Sequence, residues 1–113
     1  MEPFTLAPRE RALVGTGVAV AIPPGSCGLV LPRSGLAAKH GISLVNAPGL
    51  IDPNYRGELR VILINHGEET FAARAGDRIA QLLITAFAAP ELTVVDVLAP
   101  TDRGAGGFGS SGR

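Results

Sequence analysis

Turn-forming residues break this chain at short intervals, and the segments between them are brief apolar runs rich in β-branched side chains. Gly15-Thr16-Gly17, Pro23-Pro24-Gly25, Pro32, Asn46-Ala47-Pro48-Gly49, Asn65-His66-Gly67 and Gly76-Asp77 are the main breaks. Glycine and proline favour turns, and β-branched residues fit a pleated, half-buried surface. Runs at residues 11–14, 18–22, 27–31, 43–45, 59–64, 79–84 and 92–97 are therefore expected to be strands, and the fold to be all-β, either a sandwich or a barrel. One stretch differs. Ser34-Gly35-Leu36-Ala37-Ala38-Lys39-His40-Gly41 offers an N-cap at Ser34, helix-forming alanines and a terminating glycine, and it predicts one or two helical turns.

The 113 residues fit one domain, with no internal repeat or linker. Ten basic and ten acidic residues balance to zero, so no basic excess grips a nucleic-acid backbone. A single cysteine, Cys27, excludes an internal disulfide framework and a cysteine zinc site, and His40 and His66 have no partner at ligand spacing. No apolar run reaches the ~20 residues that cross a bilayer, and Met1-Glu2-Pro3 begins no signal peptide, so the expected setting is cytoplasmic, away from membranes. Residues 59–64 are expected to be buried on both faces. In so small a domain this predicts that another copy of the chain covers part of the surface.

Four segments carry candidate chemistry. Pro32-Arg33-Ser34-Gly35 places a guanidinium, a hydroxyl and a glycine amide at the start of the helical stretch, an arrangement suited to an anion. Asn46-Ala-Pro-Gly-Leu-Ile-Asp-Pro-Asn-Tyr-Arg-Gly-Glu58 sets two turn signals around an apolar pair, with Asp52 and Tyr55 three residues apart. Gly76-Asp-Arg-Ile-Ala-Gln81 combines a turn aspartate, Asp77, with Gln81 on the following strand. Last comes the glycine-rich arm, residues 103–113. Glycines at 104, 106, 107, 109 and 112 surround Phe108, Ser110 and Ser111, between Arg103 and Arg113. Glycine loses most freedom on ordering, so the arm is expected to be flexible. Its bare amides approach an anion closely, and Phe108 offers a flat lid for a planar group. The arm also satisfies G-x-G-x-x-G, but no helix opens on it and no acidic residue follows about 20 residues on, so a dinucleotide fold is rejected. Taken singly, each segment also admits a plain structural reading as a capped turn, a turn aspartate, a polar strand edge or a loose tail.

In this order and spacing, the four segments resemble the second to fifth motifs of the trimeric deoxyuridine triphosphate nucleotidohydrolases, the dUTPases. Residues 13–25 are similar to that family's connecting strands. The resemblance implies a dUTPase-like β-barrel or jelly roll, the β-clip, over residues 1–102, with one short helix and a closing arm over 103–113. It implies a homotrimer with shared active sites that hydrolyses dUTP to dUMP and pyrophosphate. Such a reaction limits uracil incorporation into DNA and supplies dUMP for thymidylate synthesis. Asp52 matches the carboxylate that orients and deprotonates the attacking water. Asn46, Gly49, Leu50 and Ile51 match the hairpin slot that reads uracil. Tyr55 matches the residue packed against deoxyribose. Arg33, Ser34 and Gly35 match phosphate donors, and Gln81 a residue near the phosphates and metal waters. Arg60 is placed beside the uracil slot. Arg103, Gly109, Ser110 and Ser111 match the arm's grip on the γ-phosphate, with Phe108 over the base. Mg2+ is implied, held by substrate phosphates and water rather than by protein side chains.

The sequence departs from the pattern at Gly15 and Leu50, where the family commonly has proline and threonine. The family's first motif, Ala-Gly-x-Asp-Leu, has no counterpart ahead of Phe4, so one strand of the family's fold is expected to be lacking. Three alternatives stand beside the hydrolase: an inactive relative that binds dUTP and regulates, a dCTP deaminase, which shares the fold but requires a positioned glutamate, and a purely structural β-trimer that would not bind dUTP.

Overall fold

Strand formation follows the turn punctuation over most of the chain. The computed structural model describes residues 1–109 and 112. Among them the elements run β1 (Phe4–Leu6), β2 (Arg11–Gly15), β3 (Ser26–Leu31), α1 (Ser34–His40), β4 (Ile42–Leu44), β5 (Gly49–Ile51), β6 (Arg60–Asn65), β7 (Phe71–Ala73) and β8 (Gln81–Ala86). The all-β expectation with one short helix holds. The strands form three antiparallel sheets, ordered β1-β7, β2-β6-β4 and β5-β3-β8, and no closed barrel runs through them.

The core lies between these sheets. Leu6, Val14, Val30, Ile42, Leu44, Val61, Leu63, Phe71, Ala73 and Ile79 form one buried cluster. The expectation for the run at 59–64 is burial on both faces. Instead it alternates: Leu59, Val61, Leu63 and Asn65 point inward, Ile62 and Ile64 are half-buried, and Arg60 is exposed. Period two explains this, because β6 is the middle strand between β2 and β4 and has one inner face.

Two expected strands are absent. Residues 18–22 leave the ladder after Gly17, whose φ of 73° turns the chain. Only Val18 stays tied, its carbonyl accepting the Leu59 N–H at 2.7 Å, and Pro23 and Pro24 could donate nothing to a ladder. Residues 92–97 have no ladder partner, and Leu92 and Val94 stand 90% and 98% exposed. A lone extended segment has nothing in its own protomer with which to pair. The Cα radius of gyration is accordingly 18.8 Å, against about 13 Å for a compact domain of this length. Conversely, β1 and β7 are three residues each and carry no local signal; they exist because Phe4 to Leu6 meets Phe71 to Ala73 across the fold. No helix among the described residues is long and apolar enough to cross a membrane.

Helix α1 ends as expected. Gly41 takes the left-handed conformation, φ 69°, and its N–H donates to the Ala37 and Leu36 carbonyls. It begins one residue earlier than expected: Arg33 is the N-cap, without a side-chain cap bond, and Ser34 is the first helical residue.

Asn65 is the fully buried polar side chain of the core. Its Nδ2 donates to the Leu6 and Glu69 carbonyls, both at 2.8 Å, and its Oδ1 accepts the Gly67 N–H at 2.8 Å. One amide thus ties β1 to the turn that leads into β7. Asn65→Leu keeps the volume but strips three backbone groups of their partner, so urea unfolding is expected to show a loss of about 2–4 kcal/mol.

Candidate active site

The hairpin around β5 supplies the first half of the site. β5 lies antiparallel on β3, with Gly49 opposite Val30, Leu50 opposite Leu29 and Ile51 opposite Gly28. Gly49 is buried, and a Cβ there would come within 3.3 Å of Asn46 Nδ2 and 3.5 Å of Val30. The Asn46 amide therefore lies against the Gly49 backbone.

Beyond β5 the chain turns back through residues 52–58, held by its own polar groups. The Tyr55 N–H donates to the Asp52 carbonyl at 3.1 Å. Tyr55 Oη donates to the Glu58 carbonyl at 2.7 Å, and Arg56 Nη1 donates to the Pro53 and Tyr55 carbonyls at 2.6 and 3.1 Å. Such a loop holds its shape without a core of its own.

Leu50, Ile51, Asp52, Tyr55, Glu58 and Arg60 line one cleft of ≈ 260 Å³. That is below the ~300–1,000 Å³ of most small-molecule pockets, so it admits a flat ring and part of a sugar but not a whole nucleotide. Asp52 is exposed, and among the described residues its carboxylate is engaged by no hydrogen bond or ion pair. It is free to accept from water. Glu58 Oε1 lies 3.4 Å from Arg60 Nε, with both side chains partly exposed. Such a pair contributes under about 1 kcal/mol and serves to aim a side chain. Glu58 Oε2 also accepts the Gly17 N–H at 2.9 Å.

The second half lies elsewhere. Arg33, Gly35, Leu36, Lys39, His40, Phe71, Ala72, Gly76, Asp77 and Arg78 line a cleft of ≈ 540 Å³. Ser34 is exposed at the start of α1. Gln81 opens β8 opposite Leu31, and its Nε2 donates to the Pro32 carbonyl at 2.8 Å. This fixes Gln81 beside the Arg33 segment. Asp77 is a turn residue, its Oδ2 accepting the Arg74 N–H at 2.8 Å. The two clefts share no lining residue. One protomer therefore does not place Asp52 and Tyr55 in the same cavity as Arg33 and Gly35.

The arm joins neither cleft through any hydrogen bond among the described residues. Its bonds stay local: Gly106 N–H donates to the Arg103 carbonyl at 3.2 Å, Arg103 Nε to the Gly106 carbonyl at 2.5 Å, and Gly104 N–H to Oγ1 of Thr101, just ahead of the arm, at 3.1 Å. Phe108 is fully exposed, with a positive φ of 51°, and Gly109 follows at φ 86°. Ser110 and Ser111, both expected in the phosphate grip, lie outside the described residues. No group of three or more His, Cys, Asp or Glu side chains that could hold a metal ion occurs among the described residues.

Sequence reasoning did not single out Glu58 as a site residue. A signal existed: Glu58 and Arg60 are two apart at the entry to a strand, and so share a face, with opposite charges.

The sequence model of the dUTPase family matches residues 1–112. The deoxyuridine 5'-triphosphate nucleotidohydrolase of Anaeromyxobacter sp. (strain Fw109-5) is 59% identical over 112 residues, covering 99% of this chain and 76% of that protein. A variant dUTPase of Staphylococcus bacteriophage 80alpha, solved with dUpNHpp, superposes with a TM-score of 0.91 at 31% identity, over 99% of this chain and 82% of that one. A variant dUTPase from phage phi11 of S. aureus, described with a coordinated structural Mg(II) ion, gives a TM-score of 0.78 at 30% identity, over 85% and 78% of the two chains.

Proposed function

The chain belongs to the dUTPase family, and on that premise we infer that it hydrolyses dUTP to dUMP and pyrophosphate by attack of water on the α-phosphorus. The observation that carries this reading is the meeting of Asp52, Tyr55 and the Leu50-Ile51 hairpin in one narrow cleft. The cleft takes the uracil and deoxyribose. Main-chain groups of residues 49–52, with Asn46 behind them, present a base-pairing edge in a slot too narrow for a 5-methyl group. The Tyr55 ring packs on the sugar and leaves no room for a 2′-hydroxyl.

Asp52 orients the water and accepts its proton as the oxygen adds to phosphorus. An unpaired, hydrated carboxylate acts here through placement rather than through unusual basicity. Arg33, Ser34 and Gly35 receive the phosphates, and Gln81, braced on the Pro32 carbonyl, presents its amide to their waters. Arg103 and the amides of the arm, with Ser110 and Ser111, close on the γ-phosphate, and Phe108 covers the base.

Asp52 and Arg33 line separate cavities of one protomer. This separation supports a complete site assembled between copies of a homotrimer. The exposed apolar segment at 92–97 and the unpartnered arm support the same assembly. Within the cell the reaction would keep uracil out of DNA and feed thymidylate synthesis, in the cytoplasm.

Magnesium fits this donor set as a guest of the substrate. Mg2+ keeps several waters and binds through one or two carboxylates plus phosphate oxygens, and the described residues offer no protein cage. Bound to the triphosphate, it would offset the charge that grows on the departing pyrophosphate.

Incubation with dUTP and magnesium is expected to release dUMP and pyrophosphate in equal amounts. Calorimetric binding of dUTP without turnover would instead identify a regulatory relative, and ammonia from dCTP a deaminase. Tyr55→Ala is expected to raise kcat/KM for UTP relative to dUTP by on the order of tenfold or more; an unchanged ratio would remove the sugar-excluding role.

A further inference from the structure

Gly57 occupies a position that only the absence of a side chain allows. Its φ is not in the left-handed region, so backbone conformation does not require glycine there. Space does. A Cβ on residue 57 would lie 2.5 Å from Tyr55 Oη, 2.7 Å from Cζ and 3.1 Å from Cε1. The phenol is folded back over the Gly57 backbone and caught at its far end by the Glu58 carbonyl, 2.7 Å away.

That acceptor is itself fixed. Glu58 Oε2 holds the Gly17 N–H at 2.9 Å. The next residue, Leu59, donates its N–H to the Val18 carbonyl at 2.7 Å and accepts from Thr16 N–H at 3.1 Å. Thr16 Oγ1 also donates to the Leu59 carbonyl at 2.7 Å. The tyrosine is thus held at its backbone by Asp52, at its hydroxyl by Glu58, and along its ring by contact with a bare Cα. An added methyl this close requires something to move, and the exposed phenol, caught at its hydroxyl by one hydrogen bond, is the group that gives. The ring has to leave.

We propose that Gly57 is a positioning residue that sets where the Tyr55 ring stands in the Asp52 cleft, and so how strictly the site separates 2′-deoxyribose from ribose. This rests on the reading of Tyr55 as the sugar-packing group. Gly57 touches no substrate; it acts by leaving room.

The chain has one tyrosine and no tryptophan, so ring-labelled tyrosine gives the NMR signals of Tyr55 alone. In the wild-type chain, nuclear Overhauser contacts are expected between the ring and the Gly57 α-protons. In Gly57→Ala the ring signals shift and no contact to the residue 57 α-proton remains. The ratio of kcat/KM for UTP to that for dUTP rises by about tenfold. In a Tyr55→Ala background the same substitution leaves the ratio unchanged, because there is no ring to displace. Loss of fold in Gly57→Ala that is relieved in the Gly57→Ala/Tyr55→Ala double variant also supports the proposal. A displaced ring with an unaltered ratio, an unmoved ring, an equal effect in the Tyr55→Ala background, or unfolding of the double variant overturns it. Absence of dUTP hydrolysis by the wild-type chain, or an unchanged ratio in Tyr55→Ala alone, overturns the reading of the site instead and leaves the ring measurement to report on Gly57 by itself.

Discussion

Asp52→Asn is expected to lower kcat for dUTP by about 10³-fold while changing dUTP affinity by less than about threefold. The two halves of this result have separate causes. A positioned general base typically contributes 10²–10⁴-fold, and asparagine keeps the shape of the side chain while it can no longer take a proton. Affinity survives because Asp52 is exposed and makes no hydrogen bond or ion pair among the described residues, so its loss frees no buried partner. Removing a negative charge near a polyanion also does not weaken attraction. A large loss of affinity would move Asp52 from chemistry to binding. A variant with more than a tenth of wild-type kcat would exclude it as the base. Pyrophosphate release gives the rate and calorimetry the affinity.

Deleting residues 103–113 is expected to reduce kcat/KM for dUTP by about 10²-fold or more and to leave the oligomer intact. Among the described residues the arm is exposed or half-buried, and its hydrogen bonds go to itself and to the exposed Thr101 just ahead of it, so its removal strips no core hydrogen bond. On the proposed reading, what is lost are donors that close around phosphate oxygens, where one well-placed donor is worth roughly 10²–10³-fold in rate, and a lid that keeps bulk water from the reacting phosphorus. Sedimentation reads the assembly and pyrophosphate release the rate. Full activity of the shortened chain would show that the arm has no part in catalysis. Dissociation would show that it serves assembly.

The local signals in the sequence located what local physics controls. Gly41 ends a helix because an αL residue closes its last turn, and Gly76-Asp77 makes a turn because the aspartate accepts a backbone N–H. The alternation in β6 follows from its having one inner face, which a run of leucine and β-branched side chains does not reveal. β1 and β7 could not be read at all. Three residues each, they are strands only because distant parts of the chain meet. The run at 92–97 has strand composition but no partner in its own protomer, and pairing is not a property of composition.

The candidate site divides in the same way. Asn46, Gly49, Leu50, Ile51, Asp52 and Tyr55 are nearly contiguous, so the hairpin that holds them was legible as one unit. The separation of Arg33 and Gly35 into another cleft was not, because it depends on how β3 and α1 leave the sheet. Gly57 and Glu58 stand in the quoted segment without an assigned role: Gly57 acts through missing atoms, and Glu58 acts through its backbone carbonyl as well as through its carboxylate on Arg60 and the Gly17 N–H.

Hydrolysis of dUTP in ¹⁸O-labelled water, with magnesium and with products resolved by mass spectrometry, tests the central claim most directly. Water attack on the α-phosphorus at Asp52 predicts one labelled oxygen in every dUMP and none in pyrophosphate, with Asp52→Asn cutting release of both products by about 10³-fold. Label in the pyrophosphate, or undiminished release by Asp52→Asn, would contradict it.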